Sequence, residues 1–341
     1  MTEIESFADE FGMQSPSTRP SPHPTTELAR VADTVARLSS NIGLVIQGKP
    51  DVIHNAIVCL LAEGHLLIED VPGTGKTSLA RALAASLALS WHRIQFTPDL
   101  LPSDVTGVSV YDQSRNLFEF KPGPVFANIV LGDEINRASP KTQSALLEVM
   151  EEGTTSFDSQ VYALPRPFMV IATQNPIDME GTYLLPEAQL DRFLMRLQIG
   201  YPSPEAEAAV LRTQKLGPTV ESLLPVISGP EVLAMIDAVR TVEVAPALEQ
   251  YIVGIAAATR ELSELRLGVS PRGSLALLRA ARAHAASVGR SFVLPDDVKE
   301  LAPIVLGHRV ILQPDAELQG RTGAELINRA VQTVPVPRSA A

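Results

Sequence analysis

A glycine-rich stretch that carries a lysine and a threonine, "DVPGTGKT" at residues 70–77, has the residue types of a loop that binds phosphate. In the pattern G-x-x-x-x-G-K-[ST], the last three positions fall on Gly75, Lys76 and Thr77, and Asp70 replaces the first glycine. Such a loop binds phosphate oxygens through backbone N–H groups at a helix N-terminus. Lys76 is expected to reach the β and γ phosphates, and the Thr77 hydroxyl is expected to bind Mg²⁺. A carboxylate of Asp70 that points inward would repel a triphosphate, whereas one that points away would leave the loop functional.

Two adjacent acids follow another apolar run, in "NIVLGDEINRA". Because a phosphate-binding loop lies upstream, Asp133 is interpreted as a Mg²⁺ ligand and Glu134 as the residue that polarises an attacking water. In isolation, two such acids would more often lie in an exposed loop. The catalytic interpretation therefore depends on their pairing with residues 70–77.

Two further polar positions are candidates for the same chemistry. Asn175, at the end of "FMVIATQNP", could orient the attacking water, although an Asn before Pro is also a common turn residue. Arg192 follows an acid in "LLPEAQLDRF" and is well placed to be presented to the nucleotide of a neighbouring subunit. On its own, an arginine in this setting would more often form a surface ion pair.

These residues need a scaffold, and residues 27–202 have the pattern of an α/β region. Short uninterrupted apolar runs alternate with helical segments, which is typical of a parallel sheet covered by helices on both faces. An amphipathic helix opens the region, with apolar positions at Leu28, Val31, Val35 and Leu38. The predicted strands are "HLLIE" before the glycine loop, "RIQF" at 93, "NIVLGDE" at 128 and "FMVIATQNP" at 168.

Two segments of this region alternate apolar and polar residues around a turn-forming centre. They are "GVSVYDQSRNLFEFK" at residues 107–121 and "GTTSFDSQVYALPRPF" at residues 153–168. This alternation indicates β-hairpins, so both segments are predicted to be hairpins inserted in the α/β region.

The two ends of the chain differ from the α/β region. Residues 1–26 include "QSPSTRPSPHPTT", which has almost nothing to bury and predicts a disordered tail. The strands are predicted to stop near Gly200 to Ser203, where Ser203 and Pro204 have the signature of a helix start. Residues 203–341 are predicted to be all helical, with the last helix opening in "LPDDVKELAPIVL".

Composition limits the class of protein. The chain has 341 residues, of which 45% are hydrophobic and 20% charged, which is typical of a globular protein. Its longest apolar run, "AIVCLLA", is far short of the ~20 residues of a membrane-spanning helix, and no secretory signal is evident, so a cytoplasmic location is expected. The single cysteine, Cys59, is expected to be buried, and the histidines show no metal-binding spacing. A formal charge of -11 counts against a protein that mainly binds nucleic acid.

Taken in order, six motifs closely resemble those of the MoxR family of AAA+ ATPases. They are "VIQGK", "VPGTGKT", "LGDEINRASPKTQSALLEVMEEG", "VIATQNP", "EAQLDRFLMR" and "SPRGSLALLRAARAHA", and the likeness covers most of residues 30–335. The resemblance implies an AAA+ α/β core with a P-loop, followed by a small helical lid domain. It also implies that the two hairpins are the helix-2 insert and the pre-sensor-1 insert.

The resemblance assigns a nucleotide site position by position. It implies that residues 45–48 flank the adenine, that residues 73–77 form the Walker A loop, and that Asp133 and Glu134 form Walker B. ATP and Mg²⁺ are the implied cofactors. The nucleotide-binding residues are then Val45, Ile46, Gln47, Gly48, Pro72, Gly73, Thr74, Gly75, Lys76, Thr77 and Ser78, with Thr77 and Asp133 on the metal.

Three more roles follow from the resemblance. Asn175 would be sensor 1, Arg192 the arginine finger and Arg272 sensor 2. A loop kept for structure alone would not need these residues together with Glu134, so Asp70 is predicted to face away from the phosphates. The chain is therefore predicted to be an active ATPase.

The resemblance also implies partners. The arginine finger of this design comes from the next subunit, which implies a homo-oligomeric ring, expected to have six subunits. Chaperone-like remodelling or maturation of partner proteins is expected, with a von Willebrand factor A domain partner and with metal cofactor insertion as one form of that work.

Three alternatives stay open. A magnesium-chelatase ATPase subunit shares the architecture, although the run from "EINRASPKTQ" onward fits MoxR better. A nucleic-acid motor of the same clade would be expected to have a basic residue near the tip of the second hairpin, but residues 153–165 contain Asp158 and no Lys or Arg. A scaffold that senses ATP without turnover would have no need of Glu134.

Overall fold

Five parallel strands form the centre of the α/β region. The structure is a computed structural model that describes residues 24–70, 73–157, 160–175, 183, 185–201, 204–205, 207–208 and 219–337. The sheet has the strand order β2-β5-β8-β1-β9, and each neighbouring pair is parallel. The predicted fold class is confirmed. In chain order the strands are β1 (Leu66–Glu69), β2 (Trp91–Gln95), β3 (Gly107–Asp112), β4 (Leu117–Pro122), β5 (Ile129–Asp133), β6 (Thr154–Phe157), β7 (Gln160–Ala163), β8 (Met169–Gln174), β9 (Met195–Leu197), β10 (Leu265–Leu267) and β11 (Ile311–Leu312).

Helices cover the sheet and form most of the chain after it. The first helix contains the predicted amphipathic segment, whose four apolar positions are all buried. It begins inside the segment predicted as a tail, whose residues 1–23 lie outside the described ranges. In chain order the α-helices are α1 (Pro24–Gly43), α2 (Pro50–Leu61), α3 (Lys76–Ser86), α4 (Pro102–Thr106), α5 (Pro140–Glu152), α6 (Glu187–Leu190), α7 (Gly229–Arg240), α8 (Pro246–Arg260), α9 (Pro271–Ser287), α10 (Pro295–Leu306), α11 (Pro314–Leu318) and α12 (Gly323–Thr333).

Both faces of the sheet are buried, as uninterrupted apolar strands predict. Alternate residues of a strand point to opposite faces. Leu66 and Ile68 of β1 belong to a buried cluster with α1, α2 and α3, whereas Leu67 belongs to a second cluster with α5. The helical region shares the first cluster through Leu277 of α9 and Val298 of α10. The helical region therefore packs on the face that α1 to α3 cover.

The edge strand β9 is not predicted by the sequence pattern, because three residues are too few to show a period. It is held to β1 by parallel pairing, with Met195 opposite Leu66. The Leu194 N–H donates to the His65 carbonyl at 2.8 Å. This pairing places the preceding Arg192 beside the start of β1.

Both predicted hairpins are present, as β3–β4 and β6–β7. Residues 158 and 159, at the turn of the second hairpin, lie outside the described ranges. The hairpins contact each other through Phe120, whose ring stacks on Tyr162 with centroids 4.3 Å apart and lies 5.6 Å from Phe157. The two inserts are therefore joined by aromatic packing.

The helical region differs from its prediction in two respects. The expectation that strands stop after Gly200 is wrong, because β10 and β11 pair antiparallel and Glu243 bridges to Phe292. Strands of two or three residues carry no alternation that a sequence pattern could reveal. The helix that opens at Pro295 is present but not last, since α11 and α12 follow it. The predicted helix start at Ser203 lies outside the described residues.

None of the helices in the described ranges has the combination of length and apolar character that a bilayer span requires. Cys59 is fully buried in α2, as predicted, and burial raises the pKa of its thiol.

His65, directly before β1, ties the start of the sheet to α5. Its Nε2–H donates to the Met150 carbonyl at 2.9 Å, and its Nδ1 accepts from the Val170 N–H at 3.0 Å. We call the edge at which the parallel strands begin the amino edge, and the edge at which they end the carboxyl edge. Because Met150 lies near the end of α5, the C-terminal end of α5 is at the amino edge.

The acid sensitivity of the fold should depend in part on His65. Burial lowers the pKa of His65 from 6.5 to about 4, against the opposing effect of the Met150 hydrogen bond. The unfolded state therefore binds more protons between these two pH values, so the contribution of His65 to stability is lost as the pH falls from 6.5 to about 4.

We expect His65→Leu to lower the free energy of unfolding by about 2 kcal/mol or more at pH 7.5, because two buried backbone groups lose their partners. The variant should also show a shallower loss of stability on acidification than the parent chain. Urea unfolding followed by the fluorescence of the single tryptophan, Trp91, measures both effects. His92→Leu, at an exposed position on the edge strand β2 of the same sheet, is the control. Equal acid slopes for parent and His65→Leu would contradict the prediction.

Candidate active site

The glycine loop has the backbone geometry of an anion cradle. Gly73 and Gly75 have φ values of 88° and 92°, which residues with side chains rarely adopt, and no atom of the described residues lies within 4 Å of a Cβ built on either glycine. Helix α3 starts at Lys76, and its first intrahelical hydrogen bond runs from the Leu79 N–H to the Gly75 carbonyl. The earlier N–H groups of the described helix therefore have no intrahelical acceptor and can bind an anion. Thr77 lies in this first turn.

The remaining loop positions are placed as follows. Thr74 and Ser78 lie on either side of the loop's end and are partly exposed, and Pro72 lies outside the described residues. The Lys76 ammonium donates to the Asp70 carbonyl at 2.8 Å, so the lysine folds back across the loop. This keeps its charge beside the space that Gly73 and Gly75 leave open.

The carboxylate of Asp70 accepts the Gly200 N–H at 2.6 Å, just beyond β9. Its backbone N–H continues the sheet by donating to the Gln174 carbonyl at 3.1 Å. The side chain is largely buried. Asp70 therefore joins the end of β1 to the chain after β9, and its charge is engaged by a backbone donor on the β9 side.

Asp133, the last residue of β5, is largely buried, and its carboxylate accepts three hydrogen bonds. The Thr173 hydroxyl donates to Oδ1 at 2.6 Å, and the Arg93 guanidinium donates to Oδ2 from Nη2 at 2.6 Å and from Nε at 3.1 Å. Arg93 stands on β2, the strand next to β5. An arginine therefore occupies the oxygen that a cation would otherwise approach.

Glu134 has a left-handed backbone, with φ 57° and ψ 50°, which costs a non-glycine residue about 1–3 kcal/mol. Its N–H donates to the Thr173 hydroxyl at 2.9 Å. Its Oε2 accepts from Gln95 at 3.1 Å and from Arg137 at 2.8 Å. Strain of this kind is concentrated at functional sites, where surrounding contacts maintain it.

Asn175 follows β8 at the same edge. Its carbonyl accepts from the Asn136 side chain at 3.3 Å. Nearby, the side-chain oxygens of Asn136 and Gln174 are buried and have no hydrogen-bond partner among the described residues. Buried polar atoms are usually paired, so these oxygens mark places where water or a ligand would be bound.

A cleft of about 830 Å³ lies between the α/β region and the helical region. Residues 45–48, predicted to flank an adenine, form the turn between α1 and α2, and Gly48 lines the cleft. Glu69, which directly precedes Asp70, lines it too and pairs with Arg196 of β9 at 3.2 Å. The helical region contributes Pro303 and Ile304 of α10 and Thr322, Gly323 and Ala324 at the start of α12.

Arg192 and Arg272 lie together at the opposite edge of the sheet, and we call them the arginine pair. Both bind Glu151, Arg192 at 3.0 Å from Oε2 and Arg272 at 3.3 Å from Oε1. Arg272 also lies 3.8 Å from a carboxylate oxygen of Asp191. Since Glu151 follows Met150 at the amino edge, the arginine pair is separated from the glycine loop of its own chain by the length of β1, ~13 Å.

The residues at the carboxyl edge suit a nucleotide with Mg²⁺. The open cradle at Gly73 and Gly75 and the N-terminus of α3 are suited to phosphate oxygens. The Asp133 carboxylate and the Thr77 hydroxyl are oxygen ligands of the kind that Mg²⁺ prefers. The cleft has the size of a small-molecule site and begins where the loop leaves β1.

Sequence patterns miss several residues of this site. Arg93 and Gln95 lie on a predicted strand, but the pattern does not reveal that β2 and β5 are neighbours. Thr173 lies between two carboxyl-edge acids only because β8 pairs with β5. The apolar runs in the sequence predict the strands themselves but not their order in the sheet. Without that order, these three residues cannot be assigned to the site.

Family models define the class of protein. Residues 65–195 match the ATPase family associated with various cellular activities (AAA), and residues 257–330 match the AAA lid domain. The crystal structure of a candidate ATPase from Cytophaga hutchinsonii aligns with a TM-score of 0.85 and 37% identity, covering 92% of this chain and 98% of that one. The fold is that of an AAA+ ATPase with a helical lid, which implies a nucleotide-binding site.

Sequence relatives narrow the class further. Chaperone MoxR1 of Mycobacterium tuberculosis is 40% identical over 95% of this chain and 88% of its own length. Protein MoxR of Methylorubrum extorquens is 31% identical over 89% of this chain and 96% of its own. Protein YeaC of Bacillus subtilis is 51% identical over 88% of this chain and 94% of its own. This chain belongs to the MoxR family of AAA+ ATPases, which confirms the resemblance of its motifs.

Restoring the first glycine of the loop pattern should not improve nucleotide binding. Asp70→Gly removes the charged acceptor of the Gly200 N–H, so we expect the free energy of unfolding to fall by about 1.5–3 kcal/mol with nucleotide affinity no better. Denaturant unfolding and titration with a fluorescent ADP analogue measure the two quantities. Asp70→Asn, which keeps an acceptor without charge, is the control. A gain in affinity of about tenfold or more would show that the carboxylate repels the phosphates.

Arg93 should compete with Mg²⁺ for Asp133. The ion pair is partly exposed, and such pairs contribute ~0.2–1 kcal/mol, so Arg93→Ala should lower the Mg²⁺ concentration for half-maximal nucleotide binding about two- to fivefold. Nucleotide affinity in EDTA should stay unchanged. The measurement is a fluorescent-ADP titration at several Mg²⁺ concentrations. Arg115→Ala, which removes an exposed pair in the first hairpin, is the control. An unchanged or raised Mg²⁺ requirement for Arg93→Ala would contradict the competition.

Proposed function

We propose that this chain hydrolyses Mg-ATP in a ring of identical subunits and uses the energy to remodel or mature partner proteins. One observation carries the proposal. The sheet has a phosphate cradle and an acid pair at its carboxyl edge and two solvent-accessible arginines, of which Arg192 is only partly exposed, at its amino edge, so each subunit offers two complementary parts of one site.

The carboxyl edge supplies the groups of the subunit that binds ATP. Lys76 and the first turn of α3 bind phosphate, and Thr77 with Asp133 would hold Mg²⁺, which neutralises charge on the phosphates when it is bound. Glu134 orients and polarises the attacking water, and its carboxylate is held for this by Gln95 and Arg137. Asn175 orients the same water from the end of β8.

The amino edge supplies the arginines for the neighbouring site. Charge that develops on the transferred phosphoryl group is stabilised by an arginine, which another subunit can provide. Arg192 and Arg272 cannot serve their own glycine loop across the length of β1, so the proposal assigns both to the next subunit. Contacts of this head-to-tail kind close into rings, and the family resemblance suggests six subunits.

The proposal that this protein acts on partner proteins is supported by its relatives and by its hairpins. One relative is named a chaperone, and the first hairpin exposes the apolar side chains of Tyr111, Leu117 and Phe118 at its end. Exposed apolar clusters of this kind mark interaction sites. A von Willebrand factor A domain partner, metal cofactor insertion as the form of maturation and a cytoplasmic location complete the proposal, on the strength of the family resemblance.

Steady-state ATP hydrolysis per subunit as a function of protein concentration tests the proposal. Turnover should rise as subunits associate and should vanish in Glu134→Gln. Arg192→Ala should bind fluorescent ADP normally but lose about 10³-fold or more of the turnover, because it removes charge stabilisation without touching its own nucleotide site. Arg166→Ala, which removes an exposed ion pair with Glu63, is the matched control. Near-normal turnover of Arg192→Ala, or turnover independent of concentration, would contradict the proposal.

A further inference from the structure

Arg309, three residues beyond the end of α10, is almost fully buried, with 3% of its side chain exposed. Its Nη1 donates to the carbonyl and to the carboxylate of Asp191, at 2.8 Å for the carbonyl, and its Nη2 donates to the Phe193 carbonyl at 2.7 Å. Its Nε donates to the Val305 carbonyl at 2.9 Å, within α10 itself. Every nitrogen of this guanidinium therefore makes a hydrogen bond, and together the bonds connect α10 to the segment around Asp191.

His308 strengthens the same connection. Its Nε2–H donates to the Phe193 carbonyl at 3.0 Å, beside the bond from Arg309. Burial lowers the pKa of His308 to about 3, and the neighbouring charge of Arg309 acts in the same direction. The ring is therefore neutral near pH 7 and donates through Nε2. We call His308 and Arg309 the clamp.

The clamp holds the backbone on both sides of Arg192. Asp191 and Phe193 flank this arginine, and the helical region fixes the carbonyl groups of both. The Arg192 side chain itself binds Glu151 through a partly exposed pair, which constrains it less than the buried bonds constrain its backbone. The clamp therefore largely determines the direction in which the Arg192 side chain projects from the surface.

The same helix reaches the nucleotide cleft. Pro303 and Ile304 of α10 line the cleft, and the clamp follows a few residues later. Arg309 donates to Val305, the residue after Ile304, so the clamp is bonded to the part of α10 that faces the cleft. A displacement of α10 in the cleft would therefore move the backbone around Arg192.

We propose that Arg309, with His308, is a positioning residue that couples the nucleotide cleft of one subunit to the arginine that this subunit presents to its neighbour. The inference rests on the proposed function, in which Arg192 acts on the next subunit. Arg309 itself lies at the amino edge and touches no group of its own glycine loop among the described residues. Its effect is on the geometry of Arg192, and a misplacement of about 1 Å can cost about 10²-fold in rate.

Arg309→Gln should therefore reduce kcat by about 10²-fold while leaving KM and the affinity for fluorescent ADP unchanged. Hydrogen exchange of the Arg192 and Phe193 amides, measured without nucleotide, should become faster, because their hydrogen bonds to Gln189 and Leu190 lose support. Arg266→Gln is the matched control, since Arg266 also joins the helical region to α6 but only through an exposed pair with Glu187. It should change neither quantity. Loss of nucleotide affinity in Arg309→Gln would overturn the inference.

Mixed rings give the decisive test. Arg309→Gln keeps an intact glycine loop, and Glu134→Gln keeps an intact clamp and arginine pair. If each site is shared by two neighbours, an equal mixture should recover about a quarter of the parent turnover, although each variant alone is nearly inactive. No recovery would mean that Arg309 serves its own subunit's site, and the inference would fail.

Two further mixtures distinguish a failure of this inference from a failure of the proposed function. Arg192→Ala mixed with Glu134→Gln must also recover activity, and its failure would overturn the proposed function as well as this inference. Recovery there without recovery for Arg309→Gln would overturn this inference alone.

If Arg309→Gln does not fold, Arg309→Lys is used in its place, because it keeps the charge but lacks the fork that reaches two carbonyl groups. Arg309→Lys is expected to lose turnover alone and to recover it in the mixture, and full turnover alone would contradict the positioning role.

Discussion

The common direction of the five strands is the constraint on which this molecule depends. Parallel pairing brings the ends of β1, β5 and β8 to one edge, so the glycine loop, Asp133 and Asn175 meet without any long connection. The same pairing brings the residues before β1 and β9 to the other edge, and Arg192 is among them. A strand of four residues spans ~13 Å, and this length separates Arg192 from the glycine loop of its own chain.

The helical region is in contact with both edges of the sheet. At the carboxyl edge α10 and the start of α12 line the cleft beside Gly48 and Glu69. At the amino edge the clamp after α10 binds the backbone around Arg192. The helical region also shares a buried cluster with α1 to α3, so the two regions pack against each other on that face. Helix α10 thus lines the cleft, and the clamp that follows it binds the backbone around Arg192.

Local patterns in the sequence predict those parts of the fold that are encoded locally. Uninterrupted apolar runs identify four strands of the sheet, and alternation identifies both hairpins. The edge strand and the β10–β11 pair escape because two or three residues have no period. The Arg93 bond to Asp133 and the Arg309 bond to Asp191 escape for a different reason. Each joins residues that are far apart in sequence, and only the strand order and the packing of the helical region bring them together.

Charge favours head-to-tail association over the pairing of like edges. At the amino edge the three arginines Arg192, Arg272 and Arg309 pair with two acids, Glu151 and Asp191, so this group of five described side chains has more positive than negative charge. A carboxyl edge that carries a nucleoside triphosphate presents negative charge. Two amino edges would repel each other, whereas an amino edge and a loaded carboxyl edge attract, and complementary potentials of this kind also speed association. Association through two different surfaces is heterologous and closes into a ring when the rotation allows it. Under the proposed function, nucleotide binding in one subunit would increase the attraction for the arginine pair of the next, and assembly would thereby complete the site.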